Sequence, residues 1–230
     1  MKLAVIPARG GSKRIPRKNI KLFCGKPMIA WSIEVAISSG CFDHVIVSTD
    51  DAEIADIARQ YGASVPFLRP AALADDYTGT TAVIQQAINW CAENGIDAQQ
   101  VCCLYATAPF VCADDLRRGL AILSASGANY AFSTTSYAFP IQRALRVDRQ
   151  GRVSMFSPEF FTSRSQDLEE AFHDAGQFYW GKASAWLEGA VMFSPDSVAV
   201  QLQRHRVQDI DTPEDWTRAE WLFKAILADY

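Results

Sequence analysis

The stretch Leu3-Ala-Val-Ile-Pro-Ala-Arg-Gly-Gly-Ser-Lys-Arg-Ile-Pro-Arg-Lys-Asn19 decides how the rest of the chain is read. Its start, Leu3 to Ile6, has the unbroken apolar pattern of a strand buried on both faces. The strand stops at Pro7. A loop follows with two glycines, a serine and a dense set of cations. Gly10 and Gly11 lack a Cβ, so unusual φ/ψ values and a close approach to a ligand are expected there. Exposed N–H groups in such a turn form an anion-binding nest. Arg9, Lys13 and Lys18 add full charges, with Ser12 and Asn19 as hydrogen-bond partners. No acidic residue appears before Glu34, although the net charge of the chain is −4. Positive charge is therefore placed here, and a triphosphate is the expected guest. The spacing is neither that of a Walker A loop nor of the dinucleotide fingerprint.

Outward from this loop, the pattern predicts a helix over Pro27–Ser38 and a strand over His44–Ser48. Thr49, Asp50 and Asp51 form a turn and cap, followed by a helix over Ala52–Tyr61 and a short third strand over Ala63–Phe67. This β-α-β-α-β order predicts an α/β fold, a doubly wound and mostly parallel sheet with helices on both faces. Arg69 to Asp76 reads as a loop, and Thr80 or Thr81 caps a helix running to about Asn94. Val101–Tyr105 is apolar throughout and suits the sheet centre. A helix near Asp114–Ser126 and a strand over Tyr130–Thr134 follow. From Ser136 to about His173 the rhythm breaks, around an expected hairpin at Asp148-Arg-Gln-Gly151. We read residues 136–173 as an insertion in a single domain spanning 1–230: a lid, a dimerisation arm, or both. Phe178-Tyr-Trp180 resumes as a strand, Lys182–Leu187 as a short helix, and Val198–Leu202 and Val207–Ile210 as strands. Thr212, Pro213 and Asp215 open the last helix with a capping box. Its face of Trp216, Ala219, Phe223, Ile226 and Leu227 is core packing.

Composition narrows the function classes. With 230 residues, 49% of them hydrophobic, the chain can bury one sizeable core. No run approaches the ~20 apolar residues of a membrane span. The N-terminus lacks a signal-peptide pattern, so a cytoplasmic location is expected. The six cysteines show no zinc or redox spacing; Cys102 and Cys103, adjacent in an apolar run, are expected to face opposite sides of the sheet. The acidic balance argues against a nucleic-acid surface.

The second informative stretch is Gln208-Asp-Ile-Asp-Thr-Pro-Glu-Asp215. On a strand, Asp209 and Asp211 would project to one side, where they repel unless a cation sits between them. They read either as turn and capping aspartates or as oxygen ligands for Mg²⁺. Beside a triphosphate loop, the metal reading is the stronger.

The pattern Ala8-Arg9-x-Gly-Ser-Lys13, followed by Lys18-Asn19, resembles the signature loop of the sugar-activating cytidylyltransferases of the CMP-sialic acid synthetase type. Asp209-Ile-Asp-Thr-Pro-Glu-Asp215 is similar to that family's element whose first two aspartates hold magnesium. Arg69-Pro-x-x-Leu-Ala-x-Asp76 resembles the segment whose arginine serves the nucleotide, as does the first-loop asparagine. Tyr105-Ala-Thr-Ala-Pro-Phe110 stands at the family's strand exit, but Tyr105 or Ala106 replaces its glutamine. His173-Asp-Ala-Gly-Gln-Phe-Tyr-Trp180 and Phe139-Pro-Ile-Gln-Arg143 resemble the pseudaminic acid cytidylyltransferases. Against the sialic-acid pattern Asn-Gly-Ala-Ile-Tyr, Ala175 takes the asparagine's place and Gln177 the alanine's. The resemblance implies a nucleotidyltransferase-type fold and a reaction of CTP with a nine-carbon 2-keto sugar acid, and the irregular segment from Ser136 to His173 suits the arm of a homodimer. It implies Ala8, Arg9, Gly10, Gly11, Ser12, Lys13, Asn19, Arg69, Ala106 and Thr107 for the nucleotide. Arg9, Lys13 and Lys18 are implied in catalysis, Asp174, Gln177, Tyr179 and Arg143 at the sugar, and Asp209 and Asp211 on Mg²⁺. The same chemistry on N-acetylneuraminate or another nonulosonic acid is the alternative. A sugar-phosphate nucleotidyltransferase and a catalytically silent nucleotide sensor are more distant ones.

Overall fold

The computed structural model describes residues 1–74 and 79–228. The chain opens with β1 (Lys2–Pro7), a two-rung ribbon of β2 (Leu22–Phe23) and β3 (Lys26–Pro27), then α1 (Met28–Ser39), β4 (His44–Ser48) and α2 (Ala52–Gln60). It continues through α3 (Thr80–Glu93), β5 (Gln100–Leu104), α4 (Ala113–Ser126) and β6 (Tyr130–Ser136). A hairpin of β7 (Leu145–Val147) and β8 (Val153–Met155) precedes the long β9 (Phe172–Lys182). Then come α5 (Ala183–Glu188), β10 (Ser197–Gln201) and α6 (Pro213–Ala228). The six-stranded sheet has the order β10-β6-β9-β5-β1-β4. β1 is parallel to β4 and β5, and β10 to β6, while β9 runs antiparallel between β5 and β6. The expected mostly parallel α/β sheet is therefore present, with one reversed strand near its middle.

Alternation along the strands sorts the core into two layers. Ala4, Ile6, Val47, Cys102, Leu104 and Trp180 face α1, α2 and α4, whereas Leu3, Val5, Ile46, Cys103 and Tyr179 face α3 and α5. Cys102 and Cys103 thus point to opposite faces, as expected, and all six cysteines are free thiols. A third cluster fastens α6 over the first loop: Ile15, Phe23 and Met28 pack with Phe110, Ile210, Trp216 and Phe223, and Lys21 Nζ lies 4.4 Å over the Trp216 ring. Among the described residues no helix is long and apolar enough to cross a membrane.

Four expectations are corrected. Ala63–Phe67 is not a strand; only isolated parallel bridges, Ile46 with Ser64 and Thr49 with Leu68, hold it beside β4. Pro66 lies between those bridges and has no N–H to donate to a ladder. Val207–Ile210 is not a strand either, because side chains take the places of its ladder partners: Gln177 Nε2 donates to the Arg206 carbonyl and Lys18 Nζ to that of Ile210. β9, by contrast, begins at Phe172, well before the expected Phe178. Its polar first half passes through Gly176 at φ 62°, a left-handed conformation that glycine adopts without strain. Helix α3 starts from Gly79, with no side-chain cap from either threonine. The Asp148–Gly151 turn and the α6 capping box are as expected: Thr212 Oγ1 accepts from Asp215 N and Asp215 Oδ2 from Thr212 N. Of the expected Arg69–Asp76 loop, Asp75 and Asp76 lie outside the described residues, and so does the side chain of Leu227.

Candidate active site

Five of the six strands run in one direction, so β1, β4 and β5 release their loops at the same edge, where doubly wound sheets place ligands. A cavity of about 530 Å³ opens there. Arg9, Ser12, Lys13, Arg14, Lys18 and Asn19 of the first loop line it. Tyr105, Ala106 and Thr107 come from the β5 exit, Thr80 and Val83 from the start of α3, and Arg69 and Asp211 from two more segments. Arg9, Lys13, Arg14, Lys18 and Arg69 set five cations against the Asp211 carboxylate among the lining residues. Such a lining favours a polyanion.

The loop is held from β4 outward. Ala8 N donates to the Ser48 carbonyl at 2.9 Å. Arg17, at φ 55°, pairs with Asp51, which also caps α2 by accepting from Ile54 N at 3.0 Å. Neither Gly10 nor Gly11 has a positive φ. Gly10 is needed for close approach instead: a Cβ there would stand 2.7 Å from Asp51 Oδ2. The expected nest is also partly filled by the protein itself, since Gly10 N donates to Asp50 Oδ1 at 3.0 Å and Ser12 N to the Gly10 carbonyl. Asn19 Nδ2 donates to the Arg9 carbonyl at 2.9 Å, so the amide expected to read a base also ties the loop. Arg69 is 7% exposed; its Nε donates to Ser48 Oγ at 3.1 Å and its Nη2 to the Ser48 carbonyl. Burial, then Arg9, lowers its pKa, and Asp50 opposes that shift. A guanidinium keeps its charge under such pressure.

The C-terminal aspartates meet this loop directly. Lys18 Nζ donates to the Ile210 carbonyl at 2.7 Å and reaches Asp211 Oδ1 at 3.3 Å, while Arg14 pairs with Asp211 Oδ2 at 2.8 Å. The Asp209 carboxyl is held above its usual range by enclosure first and then by Asp211, with Lys18 opposing. Two mutually repelling carboxylates beside a phosphate-sized basic cavity suit a hard divalent cation. Among the described residues no group of three or more His, Cys, Asp or Glu side chains gathers. A Mg²⁺ held here would take its other ligands from water and phosphate oxygens, as that ion commonly does.

Of the residues expected at the sugar, Tyr179 and Gln177 are buried, whereas Asp174 and Arg143 are exposed. Tyr179 is 4% exposed; its hydroxyl donates to Asp174 Oδ2 at 2.6 Å, and its ring lies 5.3 Å from that of the cavity-lining Tyr105. Burial, then Tyr105 and Asp174, pushes the Tyr179 hydroxyl far above the usual phenol range. Gln177 is 2% exposed with its amide turned to Arg206. Arg143 is exposed in the inserted segment, in a short turn over Ile141–Arg143. None of these four lines the cavity, nor do Ala8, Gly10, Gly11 and Asp209. Arg14, Thr80 and Val83 line it without having been expected. Arg14 sat in plain view within the basic loop, whereas Thr80 and Val83 carry only helix-start and core signals.

Residues 3–179 match the family model described as Cytidylyltransferase. The chain belongs to that family. It is 47% identical over 222 residues to a pseudaminic acid cytidylyltransferase of Campylobacter jejuni, covering 96% of both chains. It is 34% identical to a CMP-N,N'-diacetyllegionaminic acid synthase of Legionella pneumophila, again over 96% of each. In fold it resembles a solved CMP:2-keto-3-deoxy-manno-octonic acid synthetase complexed with CTP, with TM-score 0.70 at 18% identity, over 97% of this chain and 98% of the other. As a cytidylyltransferase, this chain is a nucleotidyltransferase whose basic first loop, β5 exit and C-terminal aspartate segment frame one cavity.

Proposed function

We propose that this cytidylyltransferase transfers CMP from CTP to the anomeric hydroxyl of pseudaminic acid, giving CMP-pseudaminic acid and pyrophosphate. The observation that carries the reading is its end-to-end similarity to the Campylobacter jejuni enzyme of that name, and the basic cavity at the strand ends supports it. Arg9, Ser12, Lys13 and Lys18 would grip the triphosphate and neutralise the charge that builds on the departing pyrophosphate. Arg69, Asn19, Ala106 and Thr107 would seat the nucleoside. The sugar hydroxyl attacks the α-phosphorus in line while the bond to the β-phosphate oxygen breaks, so positioning and charge neutralisation carry the rate. Asp209 and Asp211 would hold Mg²⁺, which supplies Lewis-acid polarisation of phosphate oxygens when bound. Tyr179, hydrogen-bonded to the exposed Asp174 and packed near the cavity-lining Tyr105, would set the shape of the sugar side, with the buried Gln177 beneath it and the exposed Arg143 on the inserted segment.

The reading extends to assembly and setting. The inserted segment exposes a run of large apolar side chains, among them Phe139, Val147, Val153 and Phe161. A surface of this kind suits burial against a second copy, as a homodimer arm. Work in the cytoplasm, feeding glycosylation of flagellin or another surface glycan, completes the proposal.

Pyrophosphate release from CTP and Mg²⁺ with pseudaminic acid and, in parallel, N-acetylneuraminic acid tests it. Turnover with pseudaminic acid is expected. Preference for N-acetylneuraminic acid would overturn the acceptor, and release with neither would overturn the transfer to this class of sugar acid.

A further inference from the structure

Between β10 and α6 the backbone runs from Val207 to Asp211 without a ladder partner, although it carries Asp209 and the cavity-lining Asp211. A segment without rungs needs other holds. Downstream the hold is the Thr212–Asp215 cap. Upstream it is Arg206. Its Nη2 donates to Asp115 Oδ2 and, at 3.2 Å, to the Phe110 carbonyl, and it lies 3.3 Å from Cys112 Sγ. Its own carbonyl accepts from Gln177 Nε2 at 2.6 Å.

Both partners are fixed points. Asp115 is 4% exposed and caps α4 by accepting from Cys112 N at 3.2 Å. Gln177 sits in the sheet on β9, 2% exposed. Phe110 ends the β5 exit loop that brings Tyr105, Ala106 and Thr107 to the cavity, and its ring shares an apolar cluster with Ile210. One half-buried guanidinium therefore ties two separate parts of the cavity wall: the loop expected to seat the nucleoside and the segment bearing the aspartates. All of these contacts run through the one terminal nitrogen Nη2, whose two N–H hydrogens suffice for the carboxylate and the carbonyl together.

We propose that Arg206 is a positioning residue, clamping the Asp209–Asp211 segment to the β5 exit loop and so fixing where the two carboxylates stand against the nucleotide. The inference rests on Asp209 and Asp211 holding a cation. It also gives Gln177 a role, as the second anchor of the same clamp.

The test measures Mn²⁺ binding by electron paramagnetic resonance, with the full chain and CTP present and no sugar acid, beside steady-state pyrophosphate release. Arg206→Met leaves the buried Asp115 carboxylate with only Arg118, at 3.4 Å, as an ionic partner. The double variant Arg206→Met/Asp115→Asn is therefore run with it, and thermal unfolding checks that each is folded. The expected result is Mn²⁺ affinity weakened at least about tenfold in both and a lower kcat, with KM for CTP within about threefold of the parent. Arg206→Lys should recover part of the loss. Folded variants that bind Mn²⁺ as the parent does would overturn the clamp. A parent that binds Mn²⁺ no better than CTP alone, with turnover unchanged by Asp211→Asn, would overturn the cation reading itself and the clamp with it.

Discussion

Lys18 Nζ donates to the backbone carbonyl of Ile210 at 2.7 Å, joining the first loop of the chain to a segment that lies 192 residues later. The same ammonium reaches Asp211 at 3.3 Å. It therefore serves the cavity twice, as a positive charge at its wall and as the pin that brings the aspartates to that wall. Lys18→Met should lower kcat/KM for CTP by about a hundredfold, while the two hydrophobic layers around the sheet keep the chain folded. Steady-state kinetics with a thermal melt decide it; a value within about threefold of the parent would leave the lysine no more than a surface charge.

Asp51 gives a stability prediction with a defined pH dependence. Its carboxyl is held below the usual aspartate range, chiefly by the Arg17 hydrogen bond and then by the Ile54 N–H and the Arg17 charge. The stabilisation is present above the unfolded aspartate value and is lost as pH falls through the lower folded one. Asp51→Ala should cost about 1–2 kcal/mol at pH 7, with the gap to the parent closing in acid. Denaturant midpoints at several pH values measure this, and a gap independent of pH would contradict it.

Asp209 should behave in the opposite sense. Partial desolvation and then the neighbouring Asp211 raise the carboxyl of this exposed residue, so its ionised form costs the folded state a little stability at neutral pH, an effect reduced by solvent screening, and protonation relieves that cost as pH falls. Without added metal, Asp209→Asn should melt higher than the parent at pH 7, and the difference should shrink as the parent protonates. With Mg²⁺ and both substrates the order of merit reverses, because the variant should turn over far more slowly. A variant that melts lower and works as well as the parent would remove Asp209 from the site.

The hairpin offers a test that is independent of chemistry. Val147 and Val153 face each other in register and are 67% and 61% exposed. Light scattering on an eluting sample should find the parent as a dimer and Val147→Asp/Val153→Asp as a monomer. A parent that is monomeric at micromolar concentration would end the interface reading.

Much of this was legible before any coordinates, and the failures have physical causes. Leu3–Ile6 and His44–Ser48 were readable because strands buried on both faces leave no polar alternation to confuse the pattern. The strand ladder expected at Ala63–Phe67 failed on Pro66, which the apolar pattern outweighed. At Val207–Ile210 the apolar pattern is silent on whether a neighbouring strand exists to pair with it. The first half of β9 was missed because Phe172-His-Asp-Ala-Gly-Gln177 looks polar and glycine-broken, although β6 zips it into the sheet. The loop cations were visible as a motif and do line the cavity, but the occupation of Gly10 N–H by Asp50 depends on the fold around β4. Arg206 carried no signal at all, since its partner Asp115 lies 91 residues away and reads as an ordinary helix cap.

The reversed strand β9 has a consequence for how such a chain can change. Ser136 and Phe172 are register partners, and Tyr137 N donates to the Ala171 carbonyl at 3.0 Å. Residues 138–170 leave and rejoin the sheet at this end of the β6–β9 ladder, so the sheet meets them as a loop. Doubling the length of such a loop costs only about 0.6 kcal/mol in closure entropy. Descendants of this gene could therefore trade that whole loop, and with it whatever surface it meets, while the half of the protein that carries the basic cavity was inherited intact.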